Sequence, residues 1–158
     1  RVRKYVFSMK PIVVQVKSQS PKAPKEIGET MMDLSRWPEF EGYSFLPGIE
    51  SAAFETQTTN WVGTRIRVCN KDGSRHIEEI VEWIPDRRIV LRFQEFQSPL
   101  RRFASHFLET WEFSGEGAET TILRSMAMYP KGIFGWLILK LISGLMRKAF
   151  QRQAEREF

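Results

Sequence analysis

Few side chains in this sequence have both the type and the spacing to do chemistry, and the leading candidate is a carboxylate. In the run Phe103-Ala-Ser-His-Phe-Leu-Glu-Thr-Trp-Glu-Phe113, odd positions collect Phe103, Ser105, Phe107, Glu109, Trp111 and Phe113. Strand alternation turns Glu109 toward the same side as these aromatics. Burial there raises a carboxyl pKa towards values useful for proton transfer. On the following run, Thr120–Tyr129, Arg124 shares a row with Ile122, Met126 and Met128. If that row faces inward, its guanidinium could pair with Glu109 or hold a ligand carboxylate or enolate. A purely structural Glu–Arg pair competes with this reading, since such pairs perturb pKa values too.

Other chemistries find little support. His76 and His106 are the only histidines, they fall on different strand-like runs, and Cys69 is the only cysteine. No metal site is expected from that set, because ligand spacing and partners are both missing. Cys69 could serve as a thiol nucleophile, although a packed strand cysteine is the plainer reading. No nucleophile elbow, phosphate-binding glycine loop or dinucleotide fingerprint occurs, so no cofactor is expected.

The elements that must position Glu109 and Arg124 are mostly strands. Ile12–Val16 is rich in β-formers, and Ser20-Pro-Lys-Ala-Pro24 ends it. Lys25–Leu34 carries Ile27, Met31 and Leu34 at helical spacing, and Arg36-Trp-Pro-Glu-Phe40 stops that helix. Strands are then expected at Phe45–Glu55 (kinked at Pro47-Gly48), Thr64–Asn70, Arg75–Ile84, Ile89–Phe96, Phe103–Ser114 and Thr120–Tyr129. Turn formers separate several of them, which implies an antiparallel meander. Within Ile89–Phe96 the row Ile89, Leu91 and Phe93 is the apolar one, whereas Arg75–Ile84 shows no clear apolar side. A long helix, Ile133–Glu157, closes the chain with a stripe of Ile142, Leu145, Met146, Ala149, Phe150 and Ala154. Its first half is apolar nearly all round. The expected fold class is α+β, with about seven strands.

Composition agrees with one soluble domain over residues 1–158: hydrophobic residues make up 42% and charged residues 27%. The formal charge of +5 is uneven. Residues 1–25 hold seven bases and no acid, and subtracting that +7 leaves residues 26–158 at −2. The body is nearly neutral, so no nucleic-acid partner is expected. No run reaches the roughly 18–20 apolar residues of a membrane span. A cytoplasmic location is expected, with an organelle after presequence removal left open, since the first residue is Arg1.

The order of these elements, with Arg36-Trp-Pro-Glu-Phe40, Val62-Gly-Thr-Arg-Ile-Arg67, Val81-Glu-Trp-Ile-Pro-Asp-Arg-Arg-Ile-Val-Leu91 and Thr110-Trp-Glu-Phe113, resembles the START-like helix-grip superfamily. The likeness is to its polyketide cyclase/dehydrase branch and covers about residues 12–155. It implies a curved antiparallel sheet wrapped around the C-terminal helix, with a cavity between them for a hydrophobic small molecule. The basic extension 1–11 and the greasy helix start depart from that pattern.

On this basis the expected function is non-catalytic binding or transfer of a lipid, isoprenoid or polyketide-like molecule. Phe93, Phe107, Trp111, Met126 and Met128 would supply apolar wall, with Trp37 and Phe40 at its rim. Plain core packing competes for each of these. The alternative function is a cofactor-independent cyclase or dehydratase, with Glu109 as acid/base and Arg124 as oxyanion or carboxylate partner. Ile133, Phe134, Trp136 and Leu139 could form a shallow foot on a membrane, helped by the basic N-terminal segment, or a contact with a second copy.

Overall fold

The alternating segments pair into one seven-stranded antiparallel sheet in the computed structural model, which describes residues 9–115 and 118–157. Most of the basic extension 1–11 thus lies outside the described residues. The first half of the chain forms β1 (Ile12–Ser20), α1 (Pro24–Met31), a 3₁₀ helix (Leu34–Glu39), and the two-residue strands β2 (Gly42–Tyr43) and β3 (Leu46–Pro47). Then come β4 (Ile49–Thr56), β5 (Arg65–Asn70), β6 (Arg75–Ile84), β7 (Arg88–Gln94), β8 (Ala104–Ser114), β9 (Thr120–Pro130) and α2 (Gly132–Glu157). The sheet order is β1-β9-β8-β7-β6-β5-β4. Strands β4 to β9 follow one another as a meander, and only the step from β1 to β4 spans the sheet.

That step carries α1, the 3₁₀ helix and the β2–β3 hairpin. Pro24 opens α1, where its missing N–H costs nothing. The helix ends at Met31, short of the expected Leu34, and Asp33 restarts the chain as a 3₁₀ turn by accepting from the Ser35 N–H at 3.2 Å. The expected strand from Phe45 divides at Gly48. A Cβ at that glycine would stand 2.8 Å from the Glu41 carbonyl, so the chain passes too close for any side chain. Phe45 instead sits in the hairpin turn, outside the main sheet, and β4 begins at Ile49.

Two β-bulges set which side chains face inward. In β6 the register shifts between Ile80 and Glu82. His76, Glu78 and Ile80 therefore share a row on one side of the bulge, and Trp83 takes over beyond it. This phase change explains why Arg75–Ile84 shows no clean alternation. A second shift lies between Ala104 and His106 in β8. Ala104 is buried and Ser105 exposed, so the expected inward row fails at Phe103 and Ser105. From Phe107 onward it holds through Glu109, Trp111 and Phe113.

Two clusters fill the interior. Leu139, Met146 and Phe150 of α2 pack with Ile12, Val14, Phe107, Met126 and Met128. Ile27 and Met32 pack with Ile80, Ile89, Leu91, Trp111, Phe113 and Ile122. The start of α2 is pinned at Gly135, where a Cβ would fall 2.3 Å from the Phe103 carbonyl oxygen.

Candidate functional site

The sheet and α2 do not close fully. A cavity of about 340 Å³ remains, within the usual scale of ligand sites. Its wall takes Leu91 and Trp111 from one cluster, and Phe96, Phe107, Met126, Met146 and Phe150 from the other. Phe93, Trp37 and Phe40 also reach it, as do Ile142 and Leu145 from the helix stripe. Met128 does not. It is fully buried beside Ile12 in the core, so its expected place on the wall is corrected.

Glu109 and Arg124 meet on this wall. Glu109 is 5% exposed, as its alternation requires. One carboxylate oxygen accepts from the Trp111 indole N–H at 2.9 Å; the other accepts from Arg124 Nε and Nη2 at 3.1 and 2.9 Å. The remaining fork of Arg124 donates to Gln153 of α2. Its guanidinium carbon lies 3.7 Å from the Phe150 ring centroid and 4.4 Å from that of Trp111. The cross-strand pairing of Trp111 with Arg124 dictates this stack. Here a charge pair spans β8 and β9 and is clasped by α2. Both its members are occupied by protein.

A second polar group lies outside the sequence expectations. His76 Nε2 lies 2.9 Å from Glu78 Oε2, and Asn70 Nδ2 lies 3.2 Å from His76 Nδ1. All three residues line the cavity. An amide nitrogen can only donate, so Nδ1 accepts and Nε2 carries the ring proton. His76 therefore donates to Glu78. The ring is also stacked on Phe93, with centroids 5.3 Å apart. The available signal is the His76-x-Glu78 spacing, which puts both on one face of a strand. The nearby bulge conceals which face.

Glu78 is only 3% exposed, and burial is the main force pushing its carboxyl pKa upward. The His76 hydrogen bond opposes that shift, and the Glu109 charge adds to it. A carboxyl whose pKa rises on folding contributes stability at low pH that is lost as pH climbs through its folded value. Wild-type thermal stability should therefore fall on going from about pH 5 upward, relative to Glu78→Gln, by a few degrees. Paired melting curves across that range check this; parallel pH profiles would refute it.

The remaining candidates divide. His106 stacks on Tyr129 with centroids 4.3 Å apart and lies off the cavity wall. Among the described residues, no three His, Cys, Asp or Glu side chains are grouped to hold a metal ion. On α2, Ile133, Phe134, Leu137 and Leu141 are exposed, and Trp136 is 36% exposed. Leu139 is 0% exposed and belongs to the core, which corrects its place in the surface foot. Among the described residues, no helix is long and apolar enough to cross a membrane.

Comparison with solved structures finds this architecture repeatedly. A Thermus thermophilus protein matches with a TM-score of 0.66 at 22% identity, covering 92% of this chain and 96% of that one. A START superfamily protein from Mycobacterium smegmatis matches with a TM-score of 0.65 at 12% identity, covering 92% and 99%. A Rhizobium loti protein matches with a TM-score of 0.60 at 16% identity, covering 92% and 96%. At such identities these likenesses speak for the fold alone. No curated protein matches the chain. The family model described as polyketide cyclase / dehydrase and lipid transport matches residues 11–156, a span that takes in the sheet, the cavity wall and nearly all of α2. With that match, and with a seven-stranded antiparallel sheet closed by a long C-terminal helix, the chain belongs to the polyketide cyclase/dehydrase and lipid transport family.

Proposed function

We propose that the protein binds and transfers a hydrophobic small molecule, of lipid, isoprenoid or polyketide-like character, in the cavity between the sheet and α2. One observation carries this reading: about 340 Å³ of space walled chiefly by aromatic and aliphatic side chains. Well-packed cores do not keep such a volume, because unfilled space forfeits dispersion contacts. The cyclase or dehydratase alternative has weaker support. Both oxygens of Glu109 already accept hydrogen bonds, and Arg124 is shared between Glu109 and Gln153. Acid–base work at Glu109 would have to break that clasp first.

Organic extraction of the purified protein, followed by mass spectrometry, tests the binding reading. So does a thermal-shift panel of lipids, isoprenoids and aromatic polyketides. A ligand at a hundredfold excess over its Kd should raise Tm by roughly 5–10 °C. An empty extract together with an unmoved Tm across the panel would remove the reading.

Transfer needs a place to load and unload, and we assign that contact to the start of α2 against an anionic bilayer. Phe134 is 75% exposed, with Ile133, Leu137 and Leu141 beside it on the helix. Exposed Arg101, Arg102, Lys131 and Lys140 flank this face, and Lys131 Nζ donates to the Arg101 carbonyl at 2.9 Å. Apolar insertion with surrounding cations favours anionic lipid. Phe134→Glu with Leu137→Glu should abolish co-sedimentation with phosphatidylcholine–phosphatidylserine vesicles. Wild-type protein that ignores the vesicles and elutes as a dimer that these substitutions dissociate would assign the face to a second copy instead.

A further inference from the structure

We propose that Glu78, oriented by His76 and Asn70, is the polar anchor of the cavity and hydrogen-bonds a neutral carbonyl oxygen on the bound molecule. This rests on the cavity being a ligand site and narrows which ligand it takes.

The geometry forms a directed chain. Asn70 is held by Ser74 Oγ at 3.1 Å and points its amide at His76 Nδ1. Phe93 stacks on the imidazole and Phe96 meets it edge-on, with centroids 6.2 Å apart, so the ring cannot swing. His76 Nε2–H then occupies Glu78 Oε2 at 2.9 Å. A proton on this carboxyl therefore belongs on Oε1. Among the described residues, no group hydrogen-bonds that second oxygen, although Glu78 is only 3% exposed and on the cavity wall. That oxygen is not sealed within protein but open to the cavity, where a ligand atom can reach it.

Charge selects the ligand class. The cations on the wall are Arg36 and Arg124, which are ion-paired with Glu39 and Glu109. An anionic ligand would face Glu78, Glu109 and Asp72 while competing for arginines already engaged. Burial favours the protonated form of Glu78, which can donate from Oε1. A ketone, ester or quinone oxygen accepts from it without bringing charge. The groups that tune this proton are His76 beside it on β6, Glu109 on β8 and Arg124 on β9. Asp72 and Arg36 also lie on the wall, the first on the β5–β6 turn and the second on the 3₁₀ helix.

Calorimetric titration of the full chain with naphthalene, 2-acetylnaphthalene and 2-naphthoate tests the assignment. At the acid end of the pH range, where Glu78 holds its proton, the ketone should bind about tenfold tighter than naphthalene, the worth of one buried hydrogen bond, and tighter than the carboxylate, which must also give up the hydration of its charge. Glu78→Leu should reduce the ketone-over-naphthalene preference by about the same factor. Ketone affinity in the wild type should weaken as rising pH ionises Glu78. Glu78→Gln, which keeps an N–H donor and the acceptor for His76, should show no such decline. Equal binding of ketone and carboxylate, or an unchanged preference in Glu78→Leu, overturns the assignment while leaving the cavity reading intact. Failure of naphthalene itself to bind the wild type overturns both.

Discussion

Replacing Arg124 by Met should destabilise the protein by about 3–5 kcal/mol, because it strands the buried Glu109 charge without its counter-ion. The side chains of Arg124 and Glu109 are 13% and 6% exposed, so solvent offers little compensation. Three further contacts vanish with the guanidinium: the bond to Gln153 and the stacking on Trp111 and Phe150. For a chain of 158 residues this corresponds to a fall in Tm of roughly 10 °C. The double variant Glu109→Gln with Arg124→Met should recover much of that loss. The glutamine removes the stranded charge yet still accepts from the Trp111 indole. Urea denaturation of the two single variants and the double gives the coupling energy. A near-neutral Arg124→Met would mean the pair does not organise the junction of β8, β9 and α2.

A comparable loss, about 3–5 kcal/mol, is expected for Phe150→Ala. Phe150 is 1% exposed, meets Phe40 edge-on with centroids 6.4 Å apart, and covers one side of Arg124. It is also part of the cavity wall. Truncation thus removes core packing and enlarges the adjoining space together. The variant should melt roughly 10 °C below wild type and accept bulkier aromatic ligands. Loss of stability without any change in ligand size limit would place Phe150 in the core only.

The features legible from sequence are those with local causes. Alternation in Phe107–Phe113 turns Glu109, Trp111 and Phe107 to one side, and the even row of β9 places Arg124 and Met126 with them. The stripe through Ile142, Met146 and Phe150 fixes the inner side of the second half of α2. What stays hidden depends on contacts distant in sequence. The bulge after Ile80 reverses the phase of β6, so alternation alone does not assign the shared face of His76 and Glu78. The close pass of Gly48 over Glu41 splits one expected strand into a hairpin arm and β4. At the start of α2 apolar residues surround the axis, and only the Gly135–Phe103 approach decides that Leu139 turns inward while Leu137 and Leu141 turn out. Gln153, which completes the clasp on Arg124, lies 29 residues away along the chain.

The most direct test is crystallographic: crystals soaked in 2-bromonaphthalene, with the bromine located by its anomalous scattering. A peak among Phe93, Phe107 and Met126, inside the space between the sheet and α2, is the predicted result. Bromine found only on the outer surface, with those side chains collapsed into van der Waals contact, would contradict a ligand-binding interior.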